Sequence, residues 1–337
     1  MATINDVCKA AGVSKATVSR VINGSGQVKE ATRQAVMNAM ADLGYQPNAL
    51  AQALATNTSH ALGLILPQFQ SSYFGSVLHH AEQGAQQAGK KLLVVNSKDT
   101  ADGEREAVIT LTNQRCDAIM LYSRHLSQAD LDQLQRTIAV PLVVINRELT
   151  LDAVPSFGFD QGQLATIAMQ HLVDLGHQRI ACITSPLHSE TGRLRFDVYQ
   201  AMLKQHHLES RPEWVAEGNN TLERGYQAAQ ELLAQGHTFS AIFACNDDMA
   251  IGAIRALHDA GLSVPHDVSV IGIDNEPASA YAIPSLSTVS LPITTLTQDA
   301  VALTITLANK HSKAPQHQTY CGELVRREST RTVKLVS

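Results

Sequence analysis

Two groups of residues have types and spacing suited to chemistry. Lys15, Ala16, Thr17, Ser19 and Arg20 gather small polar and cationic side chains over little more than one helical turn. At a helix N-terminus such side chains fit the major groove of DNA, where Lys and Arg read guanine edges and Ser and Thr hold phosphates. The second group, Asp160, Asn246 and Asp274 with Asn275, follows short apolar runs that read as strands. Open α/β sheets bind ligands at the carboxyl ends of their strands, and carboxylates and amides there offer directional hydrogen bonds to a hydroxyl-rich molecule. Each of the three strand-end residues also suits a plain helix cap.

The elements that position the first group are local. Thr3 and Asp6 form a capping pair, with Ile4, Val7, Ala10 and Ala11 as the apolar stripe of a first helix. Gly12 breaks it, and Ser14 N-caps a second helix through Ile22 that turns Val18, Val21 and Ile22 inward. Two short helices joined by a Gly-containing turn are the helix-turn-helix signature, although a hairpin that merely packs has the same outline. A third helix is expected over 29–43, stopped by Gly44. Residues 48–55 are helical in composition but too few to hold a helix alone in water.

From Ala61 onward the pattern alternates. Strands are expected at 61–66, 91–95, 118–121 and 141–145, then at 156–159, 180–183, 214–216, 241–244 and 268–273. Helices are expected at 74–88, 102–114 and 129–136, then at 163–175, 194–206, 222–234 and 249–260. Continuous apolar strands alternating with helices imply parallel sheets covered on both faces, so the fold class is α/β with an all-α head.

Length and charge agree with that division. A chain of 337 residues is expected to hold two or three domains. Net charge is −5, yet residues 1–60 carry five Lys and Arg against three Asp and Glu, leaving −7 on the remainder. A small basic head on an acidic body fits a DNA reader joined to a domain that does not touch DNA. The five cysteines are scattered without a C-x-x-C pair and read as small buried hydrophobes in a reducing, cytoplasmic setting. No basic-then-apolar leader and no membrane-length apolar run is seen. Fourteen histidines show no metal-ligand spacing and read as solvated. With no dinucleotide fingerprint, phosphate loop or nucleophile elbow, neither an enzyme nor a cofactor is expected.

The run AGVSKATVSRVIN resembles the DNA-reading motif of the lactose/galactose-repressor (LacI/GalR) family, in particular its galactose and β-glucoside operon repressors. The segments HLVDLGH from His171, NDDMAIG from Asn246, VSVIGID from Val268 and PSLST from Pro284 match further family motifs. The resemblance implies a periplasmic-binding-protein-like core of two lobes whose strands cross near Phe159, 286–292 and 319–322. It implies a reading domain at 1–46, a hinge at 47–60, a first lobe at 61–158 with about 289–320, and a second at 159–288 with about 321–332. DNA contacts are then expected from Thr3, Ser14, Lys15, Ala16, Thr17, Ser19, Arg20, Asn23 and Lys29, and from Asn48, Ala51 and Leu54 of the hinge. Leu54 matches the leucine that paired hinge helices push into the minor groove, although a linker helix would also carry a leucine.

Effector contacts are expected from Gln68, Ser72, Tyr73, Phe74, Asp160, Arg195, Asn220, Asn246 and Asp274, with Arg195 at the start of a helix. Arg195 is carried over through the Arg-x-x-x-Tyr pattern of RFDVY, and Tyr73 and Phe74 match aromatics that wall the pocket. Three departures stand out: Val198 where Gly is usual, Asn275 for a second Asp, and Asn220 where an aromatic often stacks on the ligand. The last departure implies either a smaller or differently oriented effector, or stacking supplied by Phe69, Tyr73 or Trp214. No leucine heptads follow Arg331, so a homodimer is expected. The expected function is repression of a carbohydrate-utilisation operon, with release from a palindromic operator by a sugar or glycoside. A purine-responsive corepressor on the same scaffold is the alternative, and a sugar-transport component is opposed by the basic head.

Overall fold

The computed structural model describes residues 2–46, 58–150, 154–236, 238–309 and 317–333. The head has α1 (Ile4–Ala11), α2 (Lys15–Asn23) and α3 (Glu30–Asp42). The Thr3 amide and hydroxyl both donate to Asp6 Oδ2, at 2.9 and 2.8 Å, which satisfies the exposed start of α1. Gly12, at φ 66°, closes α1 in the left-handed conformation that costs glycine nothing. Ser14 Oγ accepts from the Thr17 amide at 3.2 Å and opens α2. Val7, Val18, Val21, Val36 and Ala39 form the small buried core that fixes the angle between the helices.

The first part of the core is β1 (Ala61–Leu66), α4 (Ser72–Gln87), β2 (Lys91–Asn96), α5 (Ala101–Asn113), β3 (Ala118–Tyr122), α6 (Gln128–Thr137), β4 (Leu142–Ile145) and β5 (Ser156–Phe159). There follow α7 (Gln161–Asp174), β6 (Ile180–Thr184), α8 (Glu190–Gln205), β7 (Val215–Glu217), α9 (Leu222–Ala234), β8 (Ala241–Ala244), α10 (Asp247–Asp259), β9 (Ser269–Ile271) and the short α11 (Pro277–Tyr281). The last part is β10 (Thr288–Ser290), α12 (Ile293–Ala308), β11 (His317–Tyr320) and β12 (Glu323–Val325).

Two parallel sheets result, ordered β11-β5-β4-β3-β1-β2 and β7-β6-β8-β9, with β10 and β12 as a separate antiparallel pair. The chain therefore passes between the sheets three times: from β5 into α7, from β10 into α12, and from β11 into β12. These passages are bonded to one another. The Asp160 amide donates to Tyr320 O at 3.0 Å, and Gln163 exchanges two hydrogen bonds with the Gly322 backbone, at 3.0 and 3.1 Å.

Several elements differ from the sequence reading. The whole of α12 was not expected, because ITTLTQDAVALTITLA is rich in β-branched residues. Its buried face, with Leu296, Ala300, Val301 and Leu303, is laid against α4, where Gly84 lacks the Cβ that would collide with Val301. α8 begins at Glu190, four residues early, because Ser189 Oγ accepts from the Gly192 amide at 3.1 Å. Arg195 thus stands in the second turn, not at the helix start. His171 and His177 are buried instead of solvated; they bond Thr330 Oγ1 at 3.0 Å and Ser240 Oγ at 2.9 Å. Burial pushes His177 down to about 4, so it packs as a neutral ring. Cys116, Cys182 and Cys245 are buried, whereas Cys321 is exposed and Cys8 half-buried.

The glycine of the NDDMAIG segment has a packing cause. A Cβ on Gly252 in α10 would strike the Leu222 carbonyl oxygen and the Tyr226 amide of α9. Gly252→Ala is therefore expected to destabilise the fold by about 1–3 kcal/mol. Gly75→Ala, on α4 with open space where its Cβ would stand, should be neutral or mildly stabilising. Denaturant melts of the two variants check this; equal stabilities would show that the α9–α10 contact tolerates separation.

Candidate functional site

A cavity of about 310 Å³ lies between the two sheets at the carboxyl ends of their strands, large enough for a small ligand. Asp160 follows β5 and caps α7, its Oδ1 accepting from the Gln163 amide at 2.8 Å. Asn246 follows β8 and caps α10, accepting from the Met249 amide at 3.0 Å, while its Nδ2 donates to Asn220 O at 3.3 Å. Both residues thus cap a helix and line the cavity at once. Asp274 caps nothing. Its φ is 126° and that of Asn275 is 57°, two successive backbone conformations that non-glycine residues seldom adopt.

Arg195 is 5% exposed and reaches the cavity from α8. Its Nε donates to Gln161 Oε1 at 2.9 Å, one terminal nitrogen donates to Cys245 O, and the other stands 3.8 Å from Asp274 Oδ1. A buried guanidinium needs such partners, since desolvation without them is costly. Burial raises the Asp274 carboxyl well above the usual range; Arg195 opposes this, and the charges of Asp247, Glu276 and Asp248 add to it. Burial likewise pushes Asp247 to about 6 and Glu276 to about 7. Among the described residues no group of three His, Cys, Asp or Glu could hold a metal ion.

Tyr73 and Phe74 form the aromatic wall with Tyr122, the ring centroids of Phe74 lying 5.2 Å from Tyr73 and 5.0 Å from Tyr122. Gln68 and Asn220 also line the cavity. Ser72, the exposed first residue of α4, stands just off the lining, which its neighbour Ser71 takes, but its hydroxyl faces the carboxyl of Glu276 on the cavity wall. Phe69, 50% exposed, stands off the cavity, and Trp214, 1% exposed, is buried in the second sheet's core beneath Arg211. Tyr73 is the one aromatic of these three at the cavity. Asn220, at φ 65°, accepts from the Ser185 hydroxyl at 2.5 Å and supplies a polar rim.

Sequence reading missed part of this wall. Ser123 and Arg124 follow β3, Asn146 and Arg147 follow β4, and Ser185 follows β6, so the strand-end rule applied to every strand would have found them. It would not have found the cross-cleft pairs. Arg147 Nε meets Glu190 Oε2 at 2.8 Å, and the His125 ring stacks on His188 with centroids 6.1 Å apart.

In the head, Thr3, Ser14, Lys15, Ala16, Arg20 and Lys29 are exposed. Thr17, Ser19 and Asn23 are half-buried; Thr17 shares a 2.9 Å hydrogen bond with Ser14, and Asn23 Nδ2 donates to Ser19 Oγ at 3.3 Å. Lys15, Ala16 and Arg20 thus leave a small cationic face open on α2. Asn48, Ala51 and Leu54 lie outside the described residues. Among the described residues no helix is long and apolar enough to cross a membrane.

Comparisons agree with this arrangement. Residues 3–48 match the family model "Bacterial regulatory proteins, lacI family", and residues 169–330 match a periplasmic binding protein-like domain. The HTH-type transcriptional regulator AscG of Escherichia coli (strain K12) is 38% identical over 331 residues, 98% of each chain. The HTH-type transcriptional regulator GalR of Salmonella typhimurium (strain SL1344) is 38% identical over 332 residues, covering 98% of this chain and 97% of its own. The crystal structure of the lac repressor dimer bound to operator and the anti-inducer ONPF superposes with a TM-score of 0.87 at 30% identity, over 98% of this chain and 99% of that one. An open cationic face on a helix-turn-helix, a two-sheet core with a polar cleft and these full-length relatives agree: the chain belongs to the lacI family of bacterial regulatory proteins and is a DNA-binding transcriptional regulator.

Proposed function

We propose that this regulator represses a carbohydrate-utilisation operon and leaves its operator when a small sugar or glycoside enters the cleft. The observation that carries the ligand class is the wall built by Arg195, Asp274, Asn246 and Asp160 opposite Tyr73 and Phe74. Acceptors, an amide and a guanidinium on one side and apolar ring faces on the other suit a pyranose, which is polar at its edge and apolar on its faces. A planar base would want a ring on each side, and Asn220 leaves that second position polar.

On the DNA side, Lys15, Ala16 and Arg20 read or anchor one half-site each in a homodimer, with Thr3, Ser14, Thr17, Ser19, Asn23 and Lys29 at phosphates or the groove edge. The division into a reader at 1–46, a hinge at 47–60 and two lobes beyond it belongs to the same proposal. Hinge residues Asn48, Ala51 and Leu54 contact the operator centre, and Leu54 kinks it from the minor groove. A ligand releases DNA only through unequal affinity for the bound and released forms, and about 1–3 kcal/mol of coupling is enough to matter.

Fluorescence anisotropy on the operator beside the gene, across galactosides, glucosides, ribose and purines, tests the whole proposal. Release by one sugar is the expected result; tightening by a purine would make the protein a corepressor-type regulator instead. Arg20→Ala should weaken operator binding about tenfold or more and leave ligand affinity unchanged. Leu54→Ala should weaken it severely in the same assay, and unchanged operator affinity would refute the wedge. Arg195→Ala should abolish the response to ligand while operator binding persists, and a protein that still responds normally would refute the cleft assignment.

A further inference from the structure

Glu276 was not anticipated as a site residue, and its position is unusual. It follows the strained pair Asp274–Asn275 and lines the cavity while only 9% exposed. Its carboxyl oxygen Oε2 is buried with no hydrogen-bond partner among the described residues. Backbone anchoring holds it there: the Glu276 amide donates to Asp247 Oδ2 at 2.9 Å, and Asp247 is fixed by the Ser279 and Thr288 hydroxyls, each at 2.5 Å. The Ser72 hydroxyl serves the carboxyl, but a buried Oε2 on a cavity wall still gains from a donor that a ligand brings.

The cations around the cavity are already committed. Arg195 is taken by Gln161, the Cys245 carbonyl and Asp274; Arg124 pairs with Asp99 at 3.2 Å; Arg147 pairs with Glu190 and donates to the Leu126 carbonyl. Among the described residues neither Asp248 nor Glu276, both on the cavity wall, forms an ion pair. An entering anion would meet an excess of carboxyls, and each guanidinium at the cavity already faces one of them.

We propose that Glu276 is a specificity-determining contact which takes a hydrogen-bond donor from an uncharged or amino sugar, and that the cavity rejects phosphorylated sugars. This deepens the sugar reading given above and rests on it. Burial raises the Glu276 carboxyl to about 7, the charges of Asp248 and Asp247 add to this, and the Ser72 hydroxyl opposes it. Ser72 belongs to α4 on the first sheet and Glu276 to the second, so the carboxyl sits where the two sides of the cleft meet.

The test uses the full chain, with calorimetry and thermal melts against methyl β-glucoside, methyl β-galactoside, glucosamine, glucose 6-phosphate and inorganic phosphate. Operator affinity without ligand serves as the folding control. An unphosphorylated sugar should bind, and glucose 6-phosphate and phosphate should bind at least about tenfold more weakly. Glu276→Leu should lose about ten- to hundredfold in affinity for that sugar with operator binding intact. Glu276→Gln, which keeps the shape and an acceptor but not the charge, should narrow the gap between the sugar and its 6-phosphate. Tight binding of glucose 6-phosphate or phosphate by the native chain would overturn the proposal, as would unchanged sugar affinity in Glu276→Leu. If no compound binds while operator binding is intact, the sugar reading itself fails; if a sugar binds and Glu276 is irrelevant to it, only this inference falls.

Discussion

The cleft depends on one buried cation. Arg195 lies on α8, yet its guanidinium is held by Gln161 at the start of α7, by the carbonyl after β8 and by the carboxylate two residues beyond Gly272. Three strand ends are drawn to one point because a guanidinium removed from water must find acceptors wherever the fold can supply them. Truncating it would leave Asp274 buried beside Asp247, Asp248 and Glu276 without its counter-charge, which is far costlier than losing a surface ion pair. The same residue therefore organises the wall and makes the wall capable of binding.

Asp247 is the second support, and it joins the wall to the passages between the sheets. The residue is fully buried at the first position of α10, and Gly272 has no Cβ because that space is occupied by the Asp247 carboxylate. Through Thr288 it touches β10, one of the three connecting segments, and through the Glu276 amide it touches the cavity. Asp274 binds the same segment from the other side, its amide donating to Val289 O at 2.9 Å. A ligand that contacts Asp274 is thus one hydrogen bond away from β10, one of the three segments that connect the sheets. Contiguity of this kind supplies a physical route for coupling, and the size of the coupling is a property of two states.

What the sequence made legible follows from range. The head was readable because its signals are local: Thr3 with Asp6, Gly12 after α1 and Ser14 before α2 each act within four residues. Alternating apolar runs gave the strands, since parallel strands covered on both faces leave little room for polar residues. α12 was hidden because its Thr, Ile and Val content favours strands until burial against α4 and β3 overrides propensity. Cleft residues were legible where they close a strand, as Asp160 and Asn246 do. The Arg147–Glu190 pair was not, because pairing across a cleft depends on how two sheets face each other, which no local pattern encodes. Trp214 erred for a related reason: sheet face decides which side chain meets the cavity and which is buried in the core.

The acid excess bears on how such a protein can respond to a ligand at all. Burial raises the carboxyls of Asp247, Asp248, Asp274 and Glu276 above their ordinary range, and neighbouring carboxylates add to the shift at Asp274 and Glu276, so the charged forms are less favourable here than in water. A raised carboxyl pKa contributes stability at low pH that is lost as pH rises through about 6 and 7, the values reached by Asp247 and Glu276. Near neutrality this wall therefore carries an electrostatic cost, while Arg147 and Glu190 pair across the cleft nearby. On the sugar reading proposed above, hydroxyl or ammonium donors from a ligand would relieve that cost where the two walls face one another. Unequal affinity for two arrangements of the walls would then arise from the wall itself, and it is such inequality, not tightness of binding, that moves a two-state regulator.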